Sequence, residues 1–129
     1  MNKQNRIESG SLNGAEIRFL LSETPNHSLG TPSGKMITDS DSFSFVYLLE
    51  EEEGYSQIHF TQAVWPLMAE MLKSNATPVL SLGDETLLLT GIKDELMMLI
   101  YNIEGNDNYG EEFSSAVESA FSDFLQTSE

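Results

Sequence analysis

Apolar and polar side chains alternate over residues 15–21, where Ile17, Phe19 and Leu21 are set against Glu16 and Arg18. A period of two puts the apolar set on one face, which predicts a strand with one buried side. The turn string Ser11-Leu12-Asn13-Gly14 precedes it and makes residues 6–12 its hairpin partner. Residues 22–42 lose the period and are punctuated by Pro25, Gly30, Pro32 and Gly34. They read as a loop with room for a short edge strand at 35–38. Residues 43–49 are rich in β-formers, with Phe43, Phe45, Tyr47 and Leu49 on one face and Val46 and Leu48 on the other, as in a central strand. Glu50-Glu51-Glu52-Glu53-Gly54 is too charged for a core and makes a solvated turn, from which residues 55–60 return as the antiparallel partner.

The period then lengthens to that of a helix. Val64, Leu67, Met68, Met71 and Leu72 predict a helix over residues 61–73. Pro66 removes a backbone donor, so that helix either begins near Trp65 or has a distorted opening turn. Residues 77–82 and 85–90, joined by Gly83-Asp84, form a second hairpin, and Leu88 between Leu87 and Leu89 predicts burial on both faces. Ile92, Leu96, Leu99, Ile100 and Ile103 mark another helix, ended by Gly105. Phe113, Ala116, Val117, Ala120, Phe121 and Phe124 mark the most regular amphipathic helix of the chain. Between the two lies a polar hinge over residues 102–113, with Asn108 or Tyr109 opening the second helix. Strands joined by short turns, followed by helices, predict an α+β fold: an antiparallel sheet of about five to seven strands with about three helices packed on one face. At 129 residues the chain is expected to be one domain.

Composition narrows the function classes. The chain has no Cys, which removes a disulfide framework and thiolate metal sites. No apolar run follows the N-terminus and none is long enough to span a bilayer, so a cytoplasmic protein without membrane attachment is expected. Twenty-one Asp and Glu against six Lys and Arg give a formal net charge of −15. The charge is uneven, since from Asp94 to the C-terminus there are nine carboxylates and no Lys or Arg. Such a surface repels nucleic acid and anionic membranes and attracts basic proteins, so no direct nucleic-acid binding is expected.

Several strings together resemble a small family of uncharacterised cytoplasmic proteins from Bacillus and related Gram-positive bacteria. These are residues 39–50 (Asp39-Ser40-Asp41-Ser42-Phe43-Ser44-Phe45-Val46-Tyr47-Leu48-Leu49-Glu50), the solitary Trp65, Gly91-Ile92-Lys93-Asp94-Glu95 and the hinge. The likeness covers roughly residues 39–125 and is most specific at the hinge. Pro66 departs from it, standing where a helix-compatible residue is expected. The resemblance implies an acidic, single-domain bacterial protein and brings neither an activity nor site residues.

The candidate chemistries are thin. Gly30-Thr31-Pro32-Ser33-Gly34-Lys35-Met36 suggests a phosphate loop, but the glycine spacing is one residue short and Met36 stands where a hydroxyl should meet Mg²⁺. A Ser-His-Asp mechanism needs a base, and only His27 in a loop and His59 on a strand are offered; alternation against Ile58 and Phe60 makes His59 exposed or at an edge. Asp39-Ser40-Asp41 and the alternation of Glu104, Asn106 and Asn108 hint at cation ligands. A calcium loop would need Gly and Glu where Tyr109 and Ser115 stand. No catalytic or metal residue and no cofactor is assigned. The expected function is non-catalytic: an acidic interaction or regulatory domain binding a basic protein, with Glu104, Asp107, Glu111 and Glu112 of the hinge as the contact residues. Two alternatives stand beside it, a DNA-mimic inhibitor of a nucleic-acid-binding protein and a small enzyme with a carboxylate-based site. Strict mimicry is short of charge: a 14.4 kDa chain exposes on the order of 6,800 Å², or about one net charge per 450 Å². Duplex DNA carries about one per 100 Å². Only clustering on one face closes that gap.

Overall fold

The alternating stretch forms β2 (Glu16–Leu21), paired antiparallel with β1 (Asn5–Asn13) in a register that sets Ile17 against Leu12 and Phe19 against Gly10. The computed structural model describes residues 5–21, 30–74, 76–82 and 85–127. After β1 and β2 come β3 (Thr31–Asp39), β4 (Ser44–Glu50), β5 (Tyr55–Thr61), α1 (Trp65–Lys73), β6 (Thr77–Leu82), β7 (Glu85–Leu88), α2 (Ile92–Ile103), α3 (Glu111–Ala120) and a short α4 (Ser122–Thr127). The fold is α+β, as the pattern predicts. Its one sheet has seven strands in the order β3-β4-β5-β1-β2-β6-β7 and is mostly antiparallel.

Two contacts are parallel, β1 with β5 and β2 with β6. They arise because the β1–β2 hairpin is inserted between β5 and β6, and the connection through α1 passes over it. Hairpin logic alone does not foresee that insertion. The inner face of the sheet carries Ile7, Phe19, Phe45, Tyr47, Ile58 and Phe60, all fully buried, in one core with residues of α1, α2, α3 and α4. The two edges are drawn together at one end. Tyr47 Oη, on β4, donates to Thr90 O at 2.7 Å and accepts from Gly34 N at 3.3 Å, and Met36 N donates to Glu95 Oε1 at 3.2 Å. Amides of the edge strand β3 are thereby occupied, which blunts its capacity to pair with another chain. Gly91 makes the approach feasible: its φ is 74°, and a Cβ there would stand 3.3 Å from Gly34.

The structure corrects several sequence expectations. The expected loop with a strand at 35–38 is instead a nine-residue edge strand. A register irregularity between Pro32 and Lys35 absorbs the proline and glycine that made it look broken. Leu88 is 53% exposed, because β7 is the other edge and only one of its faces is covered. His59 is neither exposed nor at an edge: it is buried at 2% exposure on β5, inside the sheet, with Val46 and Arg6 beside it in register on the neighbouring strands. Pro66 falls at the second residue of α1, where its missing N–H costs nothing, after a 3-10 turn at Gln62–Val64. The helix expected to run from Phe113 through Phe124 breaks at Phe121, whose φ of −111° ends α3. His27 and the Gly83-Asp84 turn lie outside the described residues.

Candidate functional site: the acidic helical layer

The hinge is built as a joint. Gly105 follows α2 with a φ of 68°, the left-handed stop expected of it. Glu104 N donates to Ile100 O at 2.9 Å and Asn106 N to Ile103 O at 2.9 Å, which satisfies carbonyls at the end of α2. Asn106 binds in two directions, from Nδ2 to Asn102 O at 3.2 Å and through Oδ1 to Asn108 N at 3.0 Å. A 3-10 turn then covers Asp107–Tyr109, and α3 starts only at Glu111 after Gly110 at φ 93°, not at Asn108 or Tyr109. No L side chain takes that φ readily, so the helix cannot begin earlier.

Helix α3 holds the turn from the far side. Ser114 Oγ donates to Asn106 O at 2.8 Å, and Glu118 Oε2 accepts from Gly105 N at 3.0 Å. Phe113 anchors the joint in the core, with its ring centroid 5.8 Å from Trp65, 6.1 Å from Phe45 and 5.7 Å from Phe43. Phe43 sits at a φ of 53°, unusual for a bulky residue, and its edge-on contact with Phe113 helps offset that strain.

The four carboxylates singled out by sequence fall around this joint. Glu104 caps α2 and is exposed; Glu111 and Glu112 occupy the first turn of α3, also exposed, where the helix dipole favours negative charge. Asp107 is in the 3-10 turn, and its side chain is outside the described set. Sequence reasoning missed Glu118, the residue that brings α3 back onto the hinge. Its signal was available: Glu118 stands seven positions after Glu111, on the same face of a helix.

Charge is divided between the two sides of the sheet. On the helical side the described carboxylates are Glu70, Asp94, Glu95, Glu104, Glu111, Glu112 and Glu118, against Lys73 and Lys93. Lys73 lies 4.0 Å from Glu70, and Lys93 donates to Ser74 O at 3.4 Å. Strand register puts Arg6, Arg18 and Lys35 on the opposite, outer face with Glu16 and Asp39. There Arg18 binds Glu16 at 2.9 Å, and Arg6 pairs with Glu8 at 3.2 Å. The acidic surplus among the described residues therefore belongs to the helices and to the exposed Glu50, Glu51, Glu52 and Glu53 at the β4–β5 turn. The total exposed area of 7334 Å² is close to the value expected from mass, so the mean density stays far below that of duplex DNA.

The outer face also carries buried polar groups, Ser44, His59 and Thr61. Ser44 Oγ donates to Ser42 O at 3.3 Å and Thr61 Oγ1 to Ile7 O at 2.7 Å, so neither hydroxyl is given to His59. His59 Nε2 meets Gln57 Oε1 at 3.3 Å, and Nδ1 has no partner among the described residues. Burial pushes the imidazole pKa below its ordinary value; the Asp39 carboxylate pulls it back in part and the Arg6 guanidinium lowers it further. That arrangement supplies no nucleophile–base pair. Asp39 Oδ1 accepts from Ser42 N at 3.4 Å, as a turn residue does, and among the described residues no three His, Asp or Glu side chains are grouped to hold a metal. Among the described residues no helix is long and apolar enough to cross a membrane.

Comparison with known proteins extends the likeness beyond the strings that first suggested it. No solved structure matches the chain. A protein of Lysinibacillus sphaericus is 38% identical over 97% of this chain and 98% of its own length. The Bacillus subtilis protein YjbL is 37% identical over 92% of this chain and 98% of its own length, and a Staphylococcus haemolyticus protein is 39% identical over 80% and 84%. All three carry the designation UPF0738. The model of that family, described as a family of unknown function, matches residues 5–121 and so takes in the N-terminal hairpin as well. The chain belongs to the UPF0738 family.

Proposed function

We propose that the chain acts as a single, non-catalytic α+β domain whose acidic helical layer binds a basic protein partner. The observation that carries this is the division of charge across the sheet. Asp94, Glu104, Glu111 and Glu112 are exposed with few cations among them, while Arg6, Arg18 and Lys35 lie on the other side. One-signed fields of this kind steer oppositely charged partners and repel nucleic acid and anionic lipid. Glu104, Asp107, Glu111 and Glu112 are the contact residues of the proposal, and Glu118 joins them because its carboxylate reaches the same turn. No cofactor enters it.

Capture from a Bacillus lysate at low and at high salt tests the proposal. A basic protein retained at low salt and released as salt rises is the expected result, because exposed charges are screened beyond about 10 Å at 0.1 M salt. Retention of nothing basic sinks it. Release of the captured protein by duplex DNA would show that the partner binds nucleic acid and would favour the mimic alternative.

A further inference from the structure

The outward face of α2 is not wholly polar. Opposite its buried stripe of Ile92, Leu96, Leu99 and Ile103 run Asp94, Met98 and Tyr101, at spacings of four and three residues, with Gly105 just past the end of the helix. Met98 is 48% exposed and Tyr101 47% exposed. Tyr101 is held by Phe124 of α4, ring centroids 5.6 Å apart, which makes a platform from two elements. Carboxylates close both ends of the stripe: Asp94 at the start of α2, and Glu104 with Glu118 at its finish. Lys93, the cation of this helix, is turned to Ser74 O at 3.4 Å.

We propose that this stripe is the docking face for a basic amphipathic helix of the partner. Its apolar side chains would seat on Met98, Tyr101 and Phe124, and its Lys or Arg residues would reach Asp94 at one end and Glu104 and Glu118 at the other. The length suits such an occupant. The ten residues of α2 from Asp94 to Ile103 rise about 15 Å, nearly three turns of a facing helix. Met adapts its shape to the side chain laid on it, and Tyr offers a large rigid surface with a polar tip. A second copy of this chain is the wrong occupant, because it would bring acidic α2 and α3 against their like in a chain of net charge −15.

This docking mode rests on the basic-partner function proposed above, and its test separates the two. Isotope-labelled full chain is titrated with an 18-residue helical peptide of Leu and Lys, and with a scrambled isomer that presents no apolar face. Amide shifts at Asp94, Met98, Tyr101, Gly105 and Phe124 are expected, with the amphipathic isomer bound about tenfold more tightly than the scrambled one. Met98→Gln, at a half-exposed position that leaves the fold in place, should remove most of that advantage. Met98→Gln with Tyr101→Gln should abolish it, near-ultraviolet circular dichroism reporting an intact core. Shifts centred on the Glu50 to Glu53 turn or the outer sheet face, or equal affinity for both isomers, overturn the α2 docking face and leave the basic-partner function standing. Binding of neither isomer overturns both. Self-association through α2, detected by sedimentation, overturns the choice of occupant.

Discussion

His59 is the residue where pattern and structure part most clearly. Alternation correctly put it on the opposite face from Ile58 and Phe60, but a period of two names faces without saying what lies beside them. In the folded sheet β4 and β1 flank it, with Val46 and Arg6 in register. Its depressed pKa has a signed consequence. As pH falls through the ordinary histidine value near about 6.5, the unfolded chain takes up a proton that the folded chain refuses. Stability is then lost progressively down to the lower folded pKa, and His59 contributes no such penalty above that window. Denaturant unfolding of the wild type and of His59→Gln should therefore diverge on acidification, with the wild type losing more stability. Parallel loss in both would show that His59 charges freely in the folded state. Trp65 is the residue-scale counterweight: fully buried, with Nε1 donating to Phe60 O at 3.2 Å and its ring against Phe45, Phe113 and Phe121. Trp65→Ala should cost about 3–5 kcal/mol in equilibrium unfolding, more than any surface change.

Among the elements, those with a clean period were legible. The β1–β2 and β4–β5 hairpins, α2 and its Gly105 stop all follow from local spacing and turn chemistry. Strand β3 was not, because Pro32 and Gly34 are strand breakers except at an irregular edge, and edge position is a property of the sheet rather than of the segment. The break at Phe121 was also hidden. Sequence shows Phe121 on the apolar stripe, but not that its ring must pack 5.9 Å from Phe45 and 6.2 Å from Trp65. The hinge was singled out for the right residues and needed the structure to show how they are held. If Gly105 is required for its left-handed φ, Gly105→Ala should destabilise by about 1 kcal/mol while leaving exposed charges unchanged. Glu118→Gln should cost about 1 kcal/mol or less by weakening the bond to Gly105 N, and hydrogen exchange at the Gly105 amide should quicken with it. An unchanged Gly105 amide would mean that the Glu118 contact does not hold the turn.

At the scale of the molecule, strand order and charge geometry were beyond the sequence, since both depend on contacts far apart along the chain. Counting showed that cations stop at Lys93. It could not show that Arg6, Arg18 and Lys35 share the outer face of the sheet, leaving the helices acidic. Carboxylates gathered in this way repel one another in the folded state, so added salt should raise the unfolding temperature between very low salt and about 0.3 M; a flat response would mean that the acids are too far apart to interact. The basic-partner proposal is tested most directly by comparing the wild type with the quadruple variant Glu104→Gln, Asp107→Asn, Glu111→Gln and Glu112→Gln in capture from a Bacillus lysate at low salt. The proposal predicts that a basic protein held by the wild type is lost from the variant while the variant's unfolding transition is retained. Equal capture by both chains would contradict it and leave the hinge as architecture alone.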